Sequence, residues 1–310
     1  MAIERREVAF ESCGATLRGW LFLPEGAPGP VPAIAMAPGM SGVKEQSIVR
    51  FAEFFAANGL AALAYDNINF GASGGEPRQE VDPALQKRGY SDAVTFLMMQ
   101  PDIDRDRIGI WGTSFSGGHV LEVAAIDRRV KCVVAQVPSM SGTRNFLRRV
   151  RPDLRAAALA RLAADREARF RGEPPAMIPA VAAEEGAPCV MAGRAAYEYF
   201  TRTGEGAPNW RNEVTLRSVE FARGVETAAF LPFISPTPLL LIVAVEDELV
   251  PSDVALDEYR RARPPKKLIL LPGGHFSPYG EEYALTSTAA RDWFRLHLID
   301  GGTPALNVGG

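Results

Sequence analysis

The sequence predicts an α/β protein with a mostly parallel central sheet, helices on both faces of that sheet, and an inserted helical segment. Short apolar runs that suit buried strands alternate with stretches in which apolar residues recur at helical spacing. This alternation stops between residues 142 and 233, where an arginine- and alanine-rich stretch over 155–171 predicts a helix. We therefore expect a core formed by residues 1–141 and 234–310, and a helical cap or lid formed by residues 142–233.

The elements are predicted in chain order from their local patterns. A hairpin is expected around Cys13-Gly14, and the acidic run 102–106 is expected to be a solvated turn. The predicted strands are 7–12, 17–23, 33–37, 60–65, 108–111, 130–137, 239–245 and 268–271. Helices are expected from Ile48 to Gly59, over about 84–99, directly after residue 116, and at the C-terminal end of the chain.

Composition limits the class of protein. The chain has 310 residues, 47% of them hydrophobic and 23% charged, and a net charge of −3, so neither nucleic acid nor a membrane is an expected partner. The N-terminus has no signal-peptide core, and no apolar run approaches membrane-spanning length. Three widely spaced cysteines have no metal-ligand spacing. We expect a soluble protein of a reducing, cytoplasmic compartment with no metal and no organic cofactor.

The stretch from residue 108 to 126 predicts a strand that turns directly into a helix. Such a turn forces its central residue into a strained backbone conformation and leaves that residue's side chain exposed. Ser114 is the central residue here, and the small residues Gly112 and Ser116 stand two places to either side of it. The pattern therefore predicts that Ser114 is a nucleophile.

This turn resembles the nucleophile elbow of the α/β-hydrolases, with Ser116 in place of the last glycine of G-x-S-x-G. The chain is similar to a bacterial branch near the acetyl-xylan-esterase, dienelactone-hydrolase-like and X-Pro-dipeptidyl-peptidase-like groups, which has fungal polyketide acyltransferase relatives. Residues 44–46, 70–78 and 111–119 carry the resemblance, which covers roughly 7–140 and 235–298. It implies an α/β-hydrolase fold in which the insertion lies over the mouth of the active site.

A serine hydroxyl is a poor nucleophile without a base, so the turn predicts a histidine elsewhere in the chain. His275 follows the last predicted strand, where a loop can bring its imidazole over the carboxyl edge of the sheet. His119 lies on the helix after Ser114 and points along that helix, and His297 lies near the end of the terminal helix. We expect His275 to be the base.

The acid should also follow a strand at this edge. Asp247 stands a few residues before a proline after the penultimate strand, as the aspartate of similar hydrolases does; Glu246 and Glu248 remain alternatives. The strand before it is followed by no nearby carboxylate. The resulting order Ser114, Asp247, His275 is the order of the family it resembles.

Two donors are needed for the oxyanion that forms during acyl transfer. We expect the backbone N–H of Phe115, which follows the nucleophile, and the backbone N–H of Met40, in the loop after the 33–37 strand. Met40 and aromatic residues of the expected cap are predicted to contact the substrate. Those aromatic residues are Tyr197, Phe200 and Trp210.

Together these residues predict an esterase-type serine hydrolase that acts on a bulky, fairly apolar small molecule. The same machinery also suits cleavage of a thioester, an amide or a C–C bond, or transfer of the acyl group to an alcohol. A further alternative is a non-catalytic α/β-hydrolase scaffold that binds a ligand. The insertion is also compatible with a homodimer surface.

Overall fold

A computed structural model describes residues 1–301 of the chain. In the first half, strands and helices alternate in the order that the sequence predicts. They are β1 (Ile3–Ser12), β2 (Ala15–Pro24), β3 (Val31–Ala37), α1 (Ile48–Ala57), β4 (Ala61–Tyr65), α2 (Pro83–Met98), β5 (Ile103–Thr113), α3 (Phe115–Ile126) and β6 (Val130–Gln136).

Short elements then fill the segment that interrupts this alternation. They are α4 (Gly142–Arg149), α5 (Arg155–Phe170), β7 (Met177–Ile178), β8 (Val181–Ala182), β9 (Met191–Ala192), α6 (Arg194–Gly204), β10 (Val214–Thr215), α7 (Leu216–Arg223) and α8 (Leu231–Ile234), with 3-10 turns at Pro152–Leu154 and Thr227–Phe230. The core resumes with β11 (Leu239–Ala244), α9 (Ser252–Tyr259), β12 (Lys266–Leu271), a 3-10 turn at Ser277–Tyr279 and α10 (Tyr283–Leu298).

Eight strands form one sheet in the order β1-β2-β4-β3-β5-β6-β11-β12. The pairs β1–β2 and β2–β4 are antiparallel, and the other five pairs are parallel. The mostly parallel sheet predicted from the sequence is therefore confirmed. Because parallel strands end at a common edge, the residues after β3, β5, β11 and β12 all emerge at the carboxyl edge of this sheet.

The central strands β3, β4, β6 and β11 are buried on both faces of the sheet, as their continuous apolar runs require, whereas the edge strands β1 and β12 are partly exposed. In β3, alternate residues face opposite sides: Ala35 packs with α2 and α3, whereas Ile34 and Met36 pack with α1 and α10. Large buried side chains, such as Phe51 of α1 and Phe294 of α10, each contribute about 1.5–3 kcal/mol relative to exposure. No helix within residues 1–301 combines the length and apolar character that a membrane span needs.

Two local features test the sequence reading closely. The predicted hairpin is confirmed, because β1 and β2 pair around Cys13 and Gly14, whose φ angles of 51° and 79° suit a tight two-residue turn. The expected solvated turn at 102–106 is wrong in its larger part. Ile103 is buried and pairs with Val31, so β5 begins there, and an irregularity in the pairing follows. The sequence did not predict this short stretch of strand, because the residues after Ile103 are charged.

Polar contacts join the inserted segment to the core. The guanidinium of Arg217 on α7 forms an ion pair with Glu80, with 2.7 Å between Nε and Oε2. The hydroxyl of Ser218 accepts a hydrogen bond from the backbone N–H of Val81 at 2.9 Å. At the other end, Leu231 and Ile234 lie in the core cluster that also contains Leu121 of α3. This end of the expected cap segment therefore takes part in core packing.

Candidate active site

Ser114 lies between β5 and α3 with φ 58° and ψ −119°, a conformation that a residue with a side chain rarely adopts. Its side chain is partly exposed, while its neighbours on both sides are buried. A Cβ atom on Gly112 would overlap the backbone carbonyl of Ser116, so only glycine fits at that position. The predicted strained turn is therefore present at Ser114.

The loop after β6 holds the strained backbone of Ser114 from both ends of the residue. The Ser114 N–H donates to the carbonyl oxygen of Gln136 at 2.9 Å, and the Ser114 carbonyl accepts from the N–H of Ser139 at 2.9 Å. Between them, Val137 has a φ of 37°, a genuine outlier for a β-branched residue. Two strained residues thus face each other where surrounding hydrogen bonds fix both.

Ser116 has a task in this turn that a glycine cannot perform. Its hydroxyl accepts a hydrogen bond from the N–H of Thr113 at 3.0 Å and donates to the carbonyl oxygen of Ala37 at 2.8 Å. Ala37 is the last residue of β3, and the Tyr90 hydroxyl lies 3.0 Å from its N–H. Ser116, which stands in place of the family glycine, therefore links the turn by hydrogen bonds to the end of β3, where the next loop begins.

The three residues predicted as a triad lie in one chain of hydrogen bonds at the carboxyl edge. His275 Nε2 is 2.9 Å from Ser114 Oγ, and His275 Nδ1 is 2.7 Å from Asp247 Oδ2. The other carboxylate oxygen of Asp247 accepts the backbone N–H groups of Leu249 and Val250, each at 2.9 Å. An ionised carboxylate only accepts hydrogen bonds, so it keeps the imidazole proton on Nδ1 and leaves Nε2 able to accept the serine proton.

The alternative acids and histidines lie elsewhere. Glu246 and Glu248 are exposed on either side of the buried Asp247. His119 is fully buried on α3, where its Nε2 is 3.0 Å from Gln86 Oε1; burial, assisted by the charge of Lys87, lowers the pKa of His119 to about 3. His119 is therefore a neutral core residue at ordinary pH.

The loop after β3 packs against the elbow. A Cβ atom on Gly39 would lie 3.1 Å from the Ser114 Cβ and 3.5 Å from the Phe115 nitrogen, so the loop approaches the turn closely. Within residues 1–301, neither the Phe115 N–H nor the Met40 N–H donates a hydrogen bond to a protein acceptor. Both N–H groups predicted to hold an oxyanion are available at this end of the sheet.

Asp66, directly after β4, stabilises the loop after β3 through hydrogen bonds. Its buried carboxylate accepts the backbone N–H of Lys44 at 2.7 Å, the Lys44 ammonium at 2.8 Å and the N–H of Ala72 at 2.9 Å. Burial raises the pKa of the Asp66 carboxyl, and the adjacent Lys44 ammonium opposes that shift. The next residue, Asn67, donates to the carbonyl of Pro38 at 3.1 Å. Sequence reasoning did not identify this ion pair, because its members stand 22 residues apart.

A small cavity of about 40 Å³ lies against Ser114 and His275 and is called the site cavity below. Its walls are mainly apolar, and none of its described lining residues is Asp, Glu, Lys or Arg. The apolar lining side chains include Met40, Val43, Ile48, Met191, Phe200 and Phe276.

Two of the four residues predicted to contact substrate, Met40 and Phe200, line the site cavity, and the other two do not. Tyr197 is 39% exposed on the outer side of α6, because the inner side carries the residues two and three places later. Trp210 lies behind the cavity, stacked on Phe200 at 5.8 Å between ring centroids. Tyr197 and Trp210 therefore lie outside the site cavity, and their contact with substrate stays a prediction.

Tyr199 of α6 is the lining residue that sequence reasoning missed most clearly. Its hydroxyl contacts the hydroxyl of Ser47, and its ring stacks on Phe276 with centroids 4.4 Å apart. Burial raises the pKa of Tyr199. A second missed residue, Tyr279, contacts the hydroxyl of Thr113 through its own. The helical spacing of Ala196, Tyr199 and Phe200 was the available signal, since all three are buried on one side of α6.

Among residues 1–301, no group of three or more His, Cys, Asp or Glu side chains is arranged to hold a metal ion.

The chain matches the model of the X-Pro dipeptidyl-peptidase (S15) family over residues 14–277. It is 36% identical over 254 residues to a thiohydrolase of Eupenicillium brefeldianum, covering 80% of each chain. It is 30% identical over 275 residues to a polyketide transferase of a Penicillium species, covering 88% of this chain and 90% of that one.

A solved α/β hydrolase from a Penicillium species superposes on the chain with a TM-score of 0.80 and 29% identity, covering 95% of this chain and 99% of the other. The family match spans both the elbow and the His275 loop. The strand order and the two-sided helical packing agree with that fold. The chain therefore belongs to the S15 family of the α/β-hydrolase superfamily, and it is a hydrolase or acyl-transfer enzyme.

Proposed function

We propose that the protein is a serine hydrolase that cleaves a carboxylic ester of a bulky, fairly apolar small molecule through an acyl-enzyme on Ser114. The observation that carries the proposal is the hydrogen-bond chain from Ser114 through His275 to Asp247. The distance between Ser114 Oγ and His275 Nε2 is 2.9 Å, which allows proton transfer before any substrate binds.

In the proposed reaction, Ser114 Oγ attacks the acyl carbonyl while His275 Nε2 takes the hydroxyl proton. The Phe115 and Met40 N–H groups stabilise the oxyanion of the tetrahedral intermediate. His275 then gives the proton to the leaving group, and the acyl group stays on Ser114. A water molecule, deprotonated by His275, releases the acid in the second half of the reaction. Asp247 keeps the imidazole in the required tautomer throughout and offsets its positive charge.

The walls of the site cavity support an uncharged, apolar substrate group. A charged group would lose its hydration there without an opposite charge among the described lining residues. The cavity of about 40 Å³ is far smaller than a typical ligand pocket of roughly 300–1,000 Å³. A bulky acyl or alcohol group therefore requires movement of α6, and we propose that the inserted segment acts as a lid.

A second candidate is cleavage of a thioester, or transfer of the acyl group to an alcohol. The names of the relatives, thiohydrolase and polyketide transferase, favour it. The same serine, base and oxyanion donors serve each of these reactions, so the fold alone does not choose among them. A panel of matched oxygen esters and thioesters, assayed with and without an alcohol acceptor, separates the candidates by their products.

The proposal is tested first with Ser114→Ala on short p-nitrophenyl esters. We expect kcat to fall by about 10⁴-fold or more, with a melting temperature close to that of the unchanged protein. Ser277→Ala is a suitable control, because its hydroxyl contacts the Pro272 and Gly274 carbonyls of the same loop as His275 and should affect turnover far less. Undiminished turnover by folded Ser114→Ala protein contradicts the proposal, and absence of turnover in the unchanged protein favours a non-catalytic scaffold.

A further inference from the structure

A second cavity of about 250 Å³ lies where the inserted segment meets the core. We call it the junction cavity. The core contributes Gly71, Arg78 and Gln79 to its lining, and the insertion contributes Asn209, Arg211 and Glu213. In contrast to the site cavity, its lining is mostly polar and includes charged side chains.

The two arginines of the junction cavity have no carboxylate partner among residues 1–301. The Arg78 guanidinium donates to the backbone carbonyls of Gly71, at 2.8 Å, and Ser73; these contacts fix its position without neutralising its charge. The Arg211 side chain is exposed and makes no hydrogen bond or ion pair with a described residue. Among the described lining residues, Glu213 is the single acidic one, so these residues carry an excess of one positive charge.

Gln79 supplies an independent observation. This residue is only 5% exposed and has a left-handed φ of 62°. Its backbone N–H donates to the Asn69 carbonyl at 3.0 Å, and its carbonyl accepts from the Thr215 N–H at 2.9 Å, so its position is fixed. Its side-chain amide has no hydrogen-bond partner among the described residues, although it lines the junction cavity. The residue as a whole is buried, but its amide group is not among the solvent-inaccessible atoms, so a ligand in the cavity can hydrogen-bond to it.

We propose that the junction cavity binds a small oxyanion, a phosphate or carboxylate group. Guanidinium groups form strong, charge-assisted hydrogen bonds with both anions. In the proposed complex Arg78 and Arg211 contact the anion, and the amide N–H groups of Gln79 and Asn209 donate to its remaining oxygens. Glu213 is placed to accept a hydrogen bond from a hydroxyl next to the anionic group. Such a ligand contacts the core and the insertion at the same time.

The oxyanion site is separate from the proposed reaction. The two cavities share none of their described lining residues, and the turn at residues 44–47 contacts the lining of both. On one side of this turn, Asn209 Nδ2 is 3.5 Å from Glu45 Oε1; on the other, Gln46 and Ser47 line the site cavity. The bound anion therefore fastens the insertion to the core without occupying the place of the reacting acyl group.

The test is thermal unfolding of the full chain with increasing inorganic phosphate, against sodium chloride at matched ionic strength. We expect phosphate to raise the melting temperature saturably, because it binds only the folded protein. Arg211→Ala should weaken the apparent affinity about tenfold or more, through loss of a charge-assisted contact. Arg161→Ala is the matched control, since Arg161 is exposed on α5 and lines neither cavity. Ser114→Ala should bind phosphate like the unchanged protein, which separates this test from the proposed catalysis.

A second variant, Gln79→Glu, places a carboxylate of nearly the same shape in the junction cavity. It should melt higher than the unchanged protein without phosphate and should show no phosphate-dependent shift. Sodium acetate in place of phosphate distinguishes carboxylate from phosphate ligands, and saturable binding of either one supports the site. Equal phosphate shifts in the unchanged protein and Arg211→Ala, the same shift with chloride, or no shift with either anion overturns the proposal.

Discussion

Asp247→Asn tests the role of the buried acid with little change of shape. One oxygen of Asp247 accepts the N–H groups of Leu249 and Val250 at 2.9 Å, and the other lies 2.7 Å from His275 Nδ1. An asparagine must keep its carbonyl oxygen on the two backbone donors, because its NH₂ group cannot accept from them. The NH₂ group then faces His275, so Nδ1 becomes an acceptor and the imidazole proton moves to Nε2. In that tautomer Nε2 cannot take the proton of Ser114.

The expected fall in kcat is about 10⁴-fold, the size that follows from the wrong tautomer in serine hydrolases. The free energy of unfolding should change by less than about 1 kcal/mol, because both backbone hydrogen bonds remain. Asp247→Ala is the comparison variant. It should lose a similar amount of activity, and it should also lose about 1–2 kcal/mol of stability, because two part-buried N–H groups lose their acceptor.

The assay measures kcat and KM on p-nitrophenyl butyrate, with urea unfolding of both variants. If folded Asp247→Asn protein keeps more than about a tenth of the original kcat, the proposed control of the tautomer by Asp247 is wrong. Equal losses of stability in the two variants contradict the argument that the carbonyl oxygen is held by the backbone N–H groups.

Three further variants test the surroundings of the site. Ser116→Gly restores the family glycine but removes the hydrogen bond to Ala37; urea unfolding should show a loss of about 1–3 kcal/mol, with kcat reduced less than tenfold. His119 has a pKa of about 3 in the folded state against 6.5 ordinarily, so the unfolded state binds its proton first as the pH falls. Stability should therefore decrease from pH 6.5 towards pH 3, by about 2 kcal/mol between pH 7 and pH 5, and His119→Gln should remove that part of the dependence. Tyr199→Ala removes a ring that lines the site cavity, so the preferred p-nitrophenyl ester should shift to longer acyl chains; an unchanged chain-length profile contradicts the proposal that the site cavity holds the acyl group.

The parts of the fold that the sequence predicted are those with strong local patterns. The hairpin at Cys13 and Gly14 needs two residues with positive φ, and the elbow at Ser114 needs small residues around a sharp turn. His275 and Asp247 could be selected because each follows a predicted apolar strand, and parallel strands end at one edge of the sheet. The topology of a parallel sheet thus allowed us to predict that Ser114, Asp247 and His275, which are far apart in the chain, lie close together.

The parts that could not be predicted depend on packing between distant segments. Helical spacing shows that α6 has a buried side, but it does not show that Tyr199 rather than Tyr197 faces the site; only the docking of α6 on the turn that contains Ser47 decides this. The ion pair of Lys44 with Asp66 likewise has no signature in either local stretch. The charged run at residues 102–106 predicted a solvated turn, since its pattern did not show that one buried side chain, Ile103, holds the start of β5.

The most direct measurement is the mass of the protein after treatment with a fluorophosphonate, followed by mapping of the modified peptide. A serine activated by His275 should take up one phosphonyl group, and the added mass should lie on Ser114. Ser114→Ala protein should remain unmodified under the same conditions. An unmodified native protein, or a phosphonyl group on any other residue of it, would contradict the assignment of Ser114 as the nucleophile.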